Sequence, residues 1–193
     1  PLRFVSQRPE EIRLAFAEQL LTAAQNLHQA NATLDPHSGK RVSFGLMRMA
    51  NIEPLFDVAL ALFRQGAAEG MRIHLCVYHS QFPLLLRSAI ENRLDTTLQR
   101  EQPEAPFTLP EIRQRLLQYD EPEQLFIVLG SPVTEVGRDH DYDWAMVEPS
   151  SMRSLIQLAG RVRRHRPEPW STINVQILDS NLRHAERRDQ PAF

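Results

Sequence analysis

Residues 42–47, Val-Ser-Phe-Gly-Leu-Met, open the part of the chain that decides the fold. This run is short and apolar, as expected of a buried strand, and a helical segment that ends at Gly66 follows it. A second apolar run comes at residues 72–78, and a second helical segment at 81–93. Strands that alternate with helices in this way predict βαβ units and therefore a sheet of parallel strands.

Later segments extend this sheet. Residues 125–130, Leu-Phe-Ile-Val-Leu-Gly, form a continuous apolar run, which is typical of a central parallel strand. Residues 144–147 and 173–178 are predicted as further strands, and 109–119 as a short helix. The connection before that helix is predicted to contain one short strand near residues 96–98. We therefore predict an α/β fold in which a central, mainly parallel sheet is flanked by helices on both faces.

The two ends of the chain are expected to lie outside this fold. Residues 9–30 predict an amphipathic helix, with Pro9 in its first turn, and the polar segment 31–40 predicts a loop. We therefore predict a helical arm and loop at 1–40, one domain at 41–180 and a tail at 181–193. Because the chain opens on Pro1 without a Met, we expect it to be a fragment of a larger protein.

Composition excludes some classes of protein. Hydrophobic residues make up 42% of the 193 residues, enough for a real core, yet no apolar run is long enough to span a bilayer, so we expect no membrane partner. The single cysteine, Cys76, excludes an intrachain disulfide and favours the reducing cytoplasm. A net charge of −2 does not indicate a nucleic-acid binder, so a site for a polyanion would have to be a local patch.

The segment 155–166, Leu-Ile-Gln-Leu-Ala-Gly-Arg-Val-Arg-Arg-His-Arg, is predicted as a helix with two faces. The apolar face would hold Leu155, Leu158, Ala159 and Val162. The opposite face would hold Arg153, Gln157, Gly160, Arg161 and Arg164. Arginine suits phosphate oxygens, because its planar fork presents several donors and keeps its charge. The alternative is a solvated helix end, where cations are mildly favoured.

Three polar segments follow predicted strands, at the edge of a parallel sheet where binding sites form. They are residues 47–51, 79–83 and 131–143. In the last, Asp139, Asp141 and Asp143 alternate, which is compatible with a Mg²⁺ or Ca²⁺ site or with polar residues of which one pairs with an arginine. We assign no metal ligand.

The pattern Gln157-x-x-Gly160-Arg161-x-x-Arg164 resembles motif VI of superfamily 2 helicases. With residues 131–143 before it, the chain resembles motifs V and VI of the second RecA-like domain of the CRISPR-associated helicase-nuclease. Residues 79–83 with Arg87 resemble that family's His-Ser-Arg-Phe segment, and 42–51 its motif IV strand. The resemblance covers residues 41–166 and is strongest to the type I-F branch; it departs at Gln81, Ser131-Pro132 and Gly137.

The resemblance implies a role for each matching residue. Arg161 and Arg164 would act as arginine fingers on the γ-phosphate of ATP, with Gln157 orienting them. Asp139 would contact the ribose, and Gly160 and Glu135 would belong to the same nucleotide site. The expected contacts to the DNA backbone are Ser131, Ser80, Arg87 and Arg48. Ser131 and Glu135 together would link the nucleotide site to the DNA strand.

The chain contains neither a Gly-x-x-x-x-Gly-Lys-Ser/Thr phosphate loop nor an Asp-Glu-x-His box. The resemblance therefore implies that ATP and Mg²⁺ are bound mainly by a first RecA-like domain absent from this chain, and that the chain alone is inactive. Its other expected partners are a nuclease domain of the same protein, single-stranded DNA and the CRISPR interference complex. Two alternatives remain at this stage: a non-catalytic module that binds single-stranded DNA or a partner, and an unrelated doubly wound enzyme.

Overall fold

Six strands form one sheet in the computed structural model, which describes residues 9–135, 139–166 and 169–186. In chain order the strands are β1 (Thr33–Leu34), β2 (Arg41–Arg48), β3 (Met71–Tyr78), β4 (Glu123–Gly130), β5 (Trp144–Val147) and β6 (Val175–Ile177). The order across the sheet is β3-β4-β2-β5-β6, and every pair in it is parallel. Only the short β1 is antiparallel, against the start of β2. The predicted α/β fold with a mainly parallel sheet is confirmed.

Helices cover both faces of the sheet. They are α1 (Pro9–Asn31), α2 (Ile52–Gln65), α3 (Leu84–Leu98), α4 (Pro110–Gln118), α5 (Met152–Ala159) and α6 (Leu182–Glu186). One hydrophobic cluster joins α1, α2 and α6 to the sheet, and a second joins α3, α4 and α5 to the opposite face. None of the helices in the described part of the chain has the length and hydrophobicity to cross a membrane.

The parallel register brings the strand ends to one level. Arg48 at the end of β2 lies opposite Gly130 at the end of β4 and opposite Val147 at the end of β5. Tyr78, the last residue of β3, also lies opposite Gly130. The loops that follow these four strands therefore start from a common edge, which is where a parallel sheet places its ligands.

Gly45 lies in the middle of β2, where the indole of Trp144 crosses the strand. A Cβ atom at position 45 would stand 2.1 Å from Cζ2 of Trp144, so no larger residue fits there without moving this fully buried ring. The indole Nε1 donates to Oγ of Ser43 at 2.9 Å. Glycine thus permits the close approach of a large aromatic side chain to the central strand.

The structure differs from the sequence predictions in five segments. The segment predicted as an arm forms α1, whose residues Phe16 and Leu20 are buried in the core, so the predicted division at residue 40 does not divide the hydrophobic core. The predicted loop 31–40 contains β1, and residues 96–98 end helix α3 rather than forming a strand. Part of the predicted tail forms α6, where Leu182 is fully buried, while residues 187–193 lie outside the described residues.

The fifth difference concerns the segment that carries the predicted arginine fingers. Helix α5 ends at Ala159 instead of continuing to residue 166, and Ala159 is exposed instead of lying on the apolar face. Val162 is nevertheless buried, because it forms a parallel bridge with Tyr142 rather than another helical turn. The residues after Gly160 therefore form a loop that is held by the segment preceding β5.

His28 ties α1 to the sheet through a buried chain of hydrogen bonds. Its Nδ1 lies 2.7 Å from Oγ of Ser43, which also accepts from Trp144, and its Nε2 lies 2.7 Å from Oε2 of Glu123. A neutral imidazole satisfies this chain, since Ser43 donates to Nδ1 and Nε2 donates to the carboxylate. Burial lowers the pKa of His28, which outweighs the opposing effect of Glu123.

We expect His28→Gln to lower stability by about 1 to 3 kcal/mol at pH 8, because it leaves a buried partner unsatisfied. Folding lowers the pKa of His28 below its unfolded value of about 6.5, so the unfolded chain takes up this proton more readily and the wild-type free energy of unfolding should fall as the pH decreases from 7 to 5. The variant should lose part of this dependence, measured by urea unfolding. His37→Gln, at an exposed side chain, is the control; an equal pH dependence in His28→Gln and the wild type would contradict the assignment.

Candidate nucleotide and DNA site

The three loop segments predicted to meet at one edge of the sheet do so. Ala50 and Asn51 follow β2, Ser80 follows β3, and Ser131 follows β4; all of them line one open pocket of about 570 Å³. Arg183 of α6 and the start of α2 complete its wall. The prediction that segments 47–51, 79–83 and 131–143 share a surface is therefore confirmed for the first two and for the start of the third.

Glu135 lies at the centre of this edge, at the end of a 3₁₀ turn formed by Pro132–Glu135. Its carboxylate is paired with Arg48, with Nε and Oε1 2.7 Å apart, and accepts a hydrogen bond of 2.5 Å from Oγ of Ser154 on α5. Its main-chain oxygen accepts a hydrogen bond of 3.2 Å from Nη2 of Arg161. A single residue thus connects the end of β2, helix α5 and the first predicted arginine finger.

Arg48 is only 1% exposed, which does not fit the predicted contact with the DNA backbone. Besides Glu135, its Nη2 donates to the hydroxyls of Ser150 and Ser154 at 3.0 and 3.1 Å. Burial lowers the pKa of Arg48, although Glu135 and Glu148 act in the opposite direction. We therefore correct the prediction: in this structure, Arg48 braces the edge from within and does not present its charge to a ligand.

Arg161 and Arg164 differ in their exposure to solvent. The guanidinium of Arg161 is half-buried, and its Nε has no hydrogen-bond partner among the described residues. Burial, and then the positive charge of Arg164, lower the pKa of Arg161. Arg164 is exposed and forms an ion pair with Asp139, with Nε and Oδ1 2.7 Å apart. The two predicted fingers and the predicted ribose contact thus lie together.

The other predicted site residues differ in their exposure and in their positions on the domain. Gln157 and Gly160 are exposed, Gln157 on α5 and Gly160 at its end. Ser80 is exposed at the rim of the pocket, whereas Ser131 is 1% exposed at its floor. Arg87 is half-buried on α3 and pairs with Glu91, with Nε and Oε1 3.4 Å apart. Gly137, a departure from the family pattern, lies outside the described residues.

The alternating aspartates do not share one role. Asp139 is at the surface, but Asp141 and Asp143 are fully buried and are paired with arginines. Among the described residues, no three His, Cys, Asp or Glu side chains are grouped to hold a metal ion. Of the two interpretations left open by the sequence, the contacts support pairing with arginine.

Sequence reasoning missed the residues that hold this edge together. Glu148, at the end of β5, is fully buried and accepts hydrogen bonds from the main-chain amides of Ala50 and Leu182. Burial raises its pKa. Arg100 and Arg166 bind the buried aspartates. The sequence contains one indication, which is that the carboxylate of Glu148 directly follows an apolar strand. Its partners, Ala50 and Leu182, lie far away along the chain.

Solved structures share this architecture. A crystal structure of Cas3 from T. fusca has a TM-score of 0.58 to this chain at 15% identity, and the match covers 91% of this chain and 18% of that one. The T. fusca structure described as Cas3-ATP has a TM-score of 0.56 at 17% identity, covering 83% of this chain and 16% of that one. At this level of identity the likeness defines the class of fold: a RecA-like α/β domain.

Sequence comparison defines the family. Residues 41–167 match the family described as CRISPR-associated nuclease/helicase Cas3, C-terminal. A Cas3 protein of subtype I-F/YPEST from Pseudomonas aeruginosa is 53% identical over 179 residues, and one from Pectobacterium atrosepticum is 43% identical over 200 residues. The chain therefore belongs to the Cas3 nuclease/helicase family, which confirms the resemblance to the type I-F branch. The matches cover 92% and 98% of this chain but only 16% and 18% of those proteins.

Removing one charge of the Arg48–Glu135 pair should destabilise the chain strongly. We expect Glu135→Gln to cost about 3 to 5 kcal/mol, because the remaining cation stays buried without its partner. Arg48→Met should cost a similar amount, and the double variant less than the sum of the two. Urea unfolding measures all three.

The matched control is Glu121→Gln, which breaks the partly exposed pair between Arg72 and Glu121 and should cost less than about 1 kcal/mol. Additive losses in the double variant would show that Arg48 and Glu135 do not act as a pair.

Proposed function

We propose that this chain is the second motor domain of an ATP-dependent DNA helicase, which unwinds target DNA in CRISPR interference before a nuclease domain degrades it. The family assignment supports a helicase, and the solved T. fusca structures include Cas3 with ATP, with AMPPNP and with ADP. The chain spans less than a fifth of its relatives, so we expect a composite nucleotide site. A first RecA-like domain would bind ATP and Mg²⁺, and this chain would supply the arginines.

The main support for the proposal is an unsatisfied hydrogen-bond donor on Arg161. Its Nε is buried without a partner among the described residues, although buried donors are almost always satisfied. A phosphate oxygen is an acceptor that would satisfy it, and the planar guanidinium suits such an acceptor. Arg164, three residues further along the loop, has its charge at the surface. The residues present therefore fit the phosphate chain of a nucleotide.

The ion pair between Arg164 and Asp139 does not prevent this use. Both side chains are about half exposed, at 41% and 51%, and an exposed pair contributes only about 0 to 1 kcal/mol. Replacing the Asp139 carboxylate by a phosphate oxygen as the partner of Arg164 therefore costs little free energy. Asp139 would then be free to accept a hydrogen bond from the ribose, as the resemblance implies. Gln157 on α5 and Gly160 at its end are both exposed and would line the approach to the nucleotide.

Bound ATP supplies the phosphoryl group that is transferred to water. Arg161 and Arg164 would bind its oxygens and stabilise the negative charge that is redistributed during transfer, a contribution of roughly 10³ to 10⁵ in rate for arginine fingers. The fingers can act only when the two motor domains close on each other. Repeated closing and opening would move the grip on DNA, which is translocation.

The grip on DNA is proposed to lie at the pocket between the strand ends. Ser80 at its rim would hydrogen-bond to a phosphate, and Arg87 on the following helix would supply positive charge. Ser131 lies at the floor of the same pocket, four residues before Glu135, whose main-chain oxygen holds Arg161. The short 3₁₀ turn Pro132–Glu135 therefore joins the proposed DNA site to the proposed nucleotide site. A movement of one site would displace the other.

Arg161→Ala and Arg164→Ala, made in the full-length protein, should each lower DNA-stimulated ATP hydrolysis by about 10³-fold or more, because the charge that moves in the transition state is no longer stabilised. ATP binding should stay largely intact, since the first motor domain provides most contacts. Steady-state turnover and binding of a fluorescent ATP analogue give the two readouts. Arg64→Ala, at an exposed arginine on α2, is the control; wild-type turnover in Arg161→Ala would contradict the proposal.

Arg87→Ala should weaken binding of single-stranded DNA and reduce the dependence of log Kd on log salt by about 0.7, the value of one lost phosphate contact on a single strand. Fluorescence anisotropy over a salt series measures both, and Arg64→Ala again serves as the control. An unchanged slope would remove Arg87 from the DNA site. Tight binding by the isolated 193 residues, with a steep slope, would favour the alternative of an independent DNA-binding module.

A further inference from the structure

Two arginines and two aspartates form a buried cluster at the base of the loop that follows α5. The Arg166 cluster consists of Arg100, Asp141, Asp143 and Arg166, whose side chains are 1%, 0%, 1% and 4% exposed. The two positive and two negative charges cancel. Neither Arg100 nor Arg166 belongs to the pattern Gln157-x-x-Gly160-Arg161-x-x-Arg164.

Every charged group of the Arg166 cluster is bonded. Arg166 forms a fork on Asp141, with Nε and Nη2 3.2 and 3.1 Å from the two carboxylate oxygens, and its Nη1 lies 2.7 Å from Oδ1 of Asp143. Arg100 donates to the same Oδ1 at 2.6 Å, and the other oxygen of Asp143 accepts from the amide of Phe44 at 2.7 Å. No buried side-chain atom of these four residues lacks a partner, unlike Nε of Arg161.

The cluster is one of two anchors of the loop. The first is in the main chain: the amide of Arg163 donates to the carbonyl of Tyr142 at 2.9 Å, and the amide of Tyr142 donates to the carbonyl of Arg161 at 2.8 Å. Arg163 has a φ of 51°, so the chain turns sharply there. The second anchor is the fork of Arg166. Arg161 and Arg164 lie on or between these anchors and lack the regular hydrogen bonds of a helix.

We propose that Arg166 is a positioning residue: its fork on Asp141 and Asp143 holds the loop so that Arg161 and Arg164 face the nucleotide before it arrives. This inference rests on the proposed function. Arginines that are close together in sequence then have different roles. The side chain of Arg166 is buried and fully bonded and holds the loop, while Arg161 and Arg164 remain able to bind a ligand.

Arg100 connects the segment before β5, which contains Asp141, to the segment that follows α3. Its Nε donates to the main-chain oxygen of Asp141 at 3.0 Å and its Nη1 to that of Pro103 at 2.9 Å. The amide of Asp141 donates to the carbonyl of Leu98 at the end of α3. The loop is therefore fixed to the segment after α3, at the end of the helix that also carries Arg87.

The test is Arg166→Lys in the full-length protein. Lysine keeps the charge but cannot form the fork, so the loop should lose its fixed position. We expect kcat for DNA-stimulated ATP hydrolysis to fall about 10- to 100-fold, as for a small misplacement of a catalytic group, while KM for ATP and Kd for single-stranded DNA change less than about two-fold.

The matched control is Arg113→Lys. Arg113 forms the same kind of fork on the buried Asp35, with both distances 2.9 Å, in a different part of the domain. The Arg113 side chain is 24% exposed, against 4% for Arg166, so Arg113→Lys should lower the melting temperature, although less than Arg166→Lys does, and should leave kcat unchanged. If both variants lower kcat equally, or if Arg166→Lys has the wild-type kcat while Arg161→Ala is inactive, the positioning role is wrong and the proposed function stands. Wild-type turnover in Arg161→Ala would instead remove the proposed function.

Hydrogen exchange of the wild-type protein decides the matter if Arg166→Lys does not fold. Without nucleotide, the amides of Tyr142 and Arg163 should exchange as slowly as those of β5, because the loop is already held. Fast exchange of these two amides in an otherwise protected domain would overturn the proposal.

Discussion

The level ends of the parallel strands are the constraint on which the rest of this domain depends. Because β2 is paired residue by residue with β4, and β3 follows the same register, the chain leaves all three strands at one height. Segments that are far apart in sequence therefore meet at one edge. No single loop forms the candidate site, and a shift of one strand by a residue would turn its side chains to the opposite face of the sheet.

Charge is buried at that edge in two groups, and each buried arginine in them has a carboxylate partner. Arg48 with Glu135 and Glu148 joins β2, β5 and α5, while Arg100 with its aspartates joins the segment after α3 to β5. Buried pairs of this kind add little net stability over apolar residues of the same size, but they penalise any arrangement that separates the partners. They therefore favour one geometry of the edge over others.

Much of the fold could be predicted from local patterns, because buried parallel strands are continuous apolar runs and the helices between them have helical spacing. The errors occur where distant contacts decide. Val162 has the spacing of a helical core residue after Leu158 and is indeed buried, but the helix has already ended and Tyr142 provides its neighbour. The start of α6 depends on a hydrogen bond from Leu182 to the distant Glu148. The arginines of the loop look alike in sequence, and only buried carboxylates elsewhere in the chain distinguish Arg166 from Arg161 and Arg164.

The two tryptophans of the chain differ in surroundings in a way that gives the domain a built-in optical probe. Trp144 is sealed in the core against Gly45, whereas Trp170 is partly exposed, and the guanidinium of Arg163 stacks 3.8 Å from the centre of its ring. Indole emission responds to polarity and to a nearby cation, so a displacement of the loop that carries Arg163 would change the light emitted by Trp170 and leave that of Trp144 constant. Any loosening of this loop could thus be followed in real time without an attached dye.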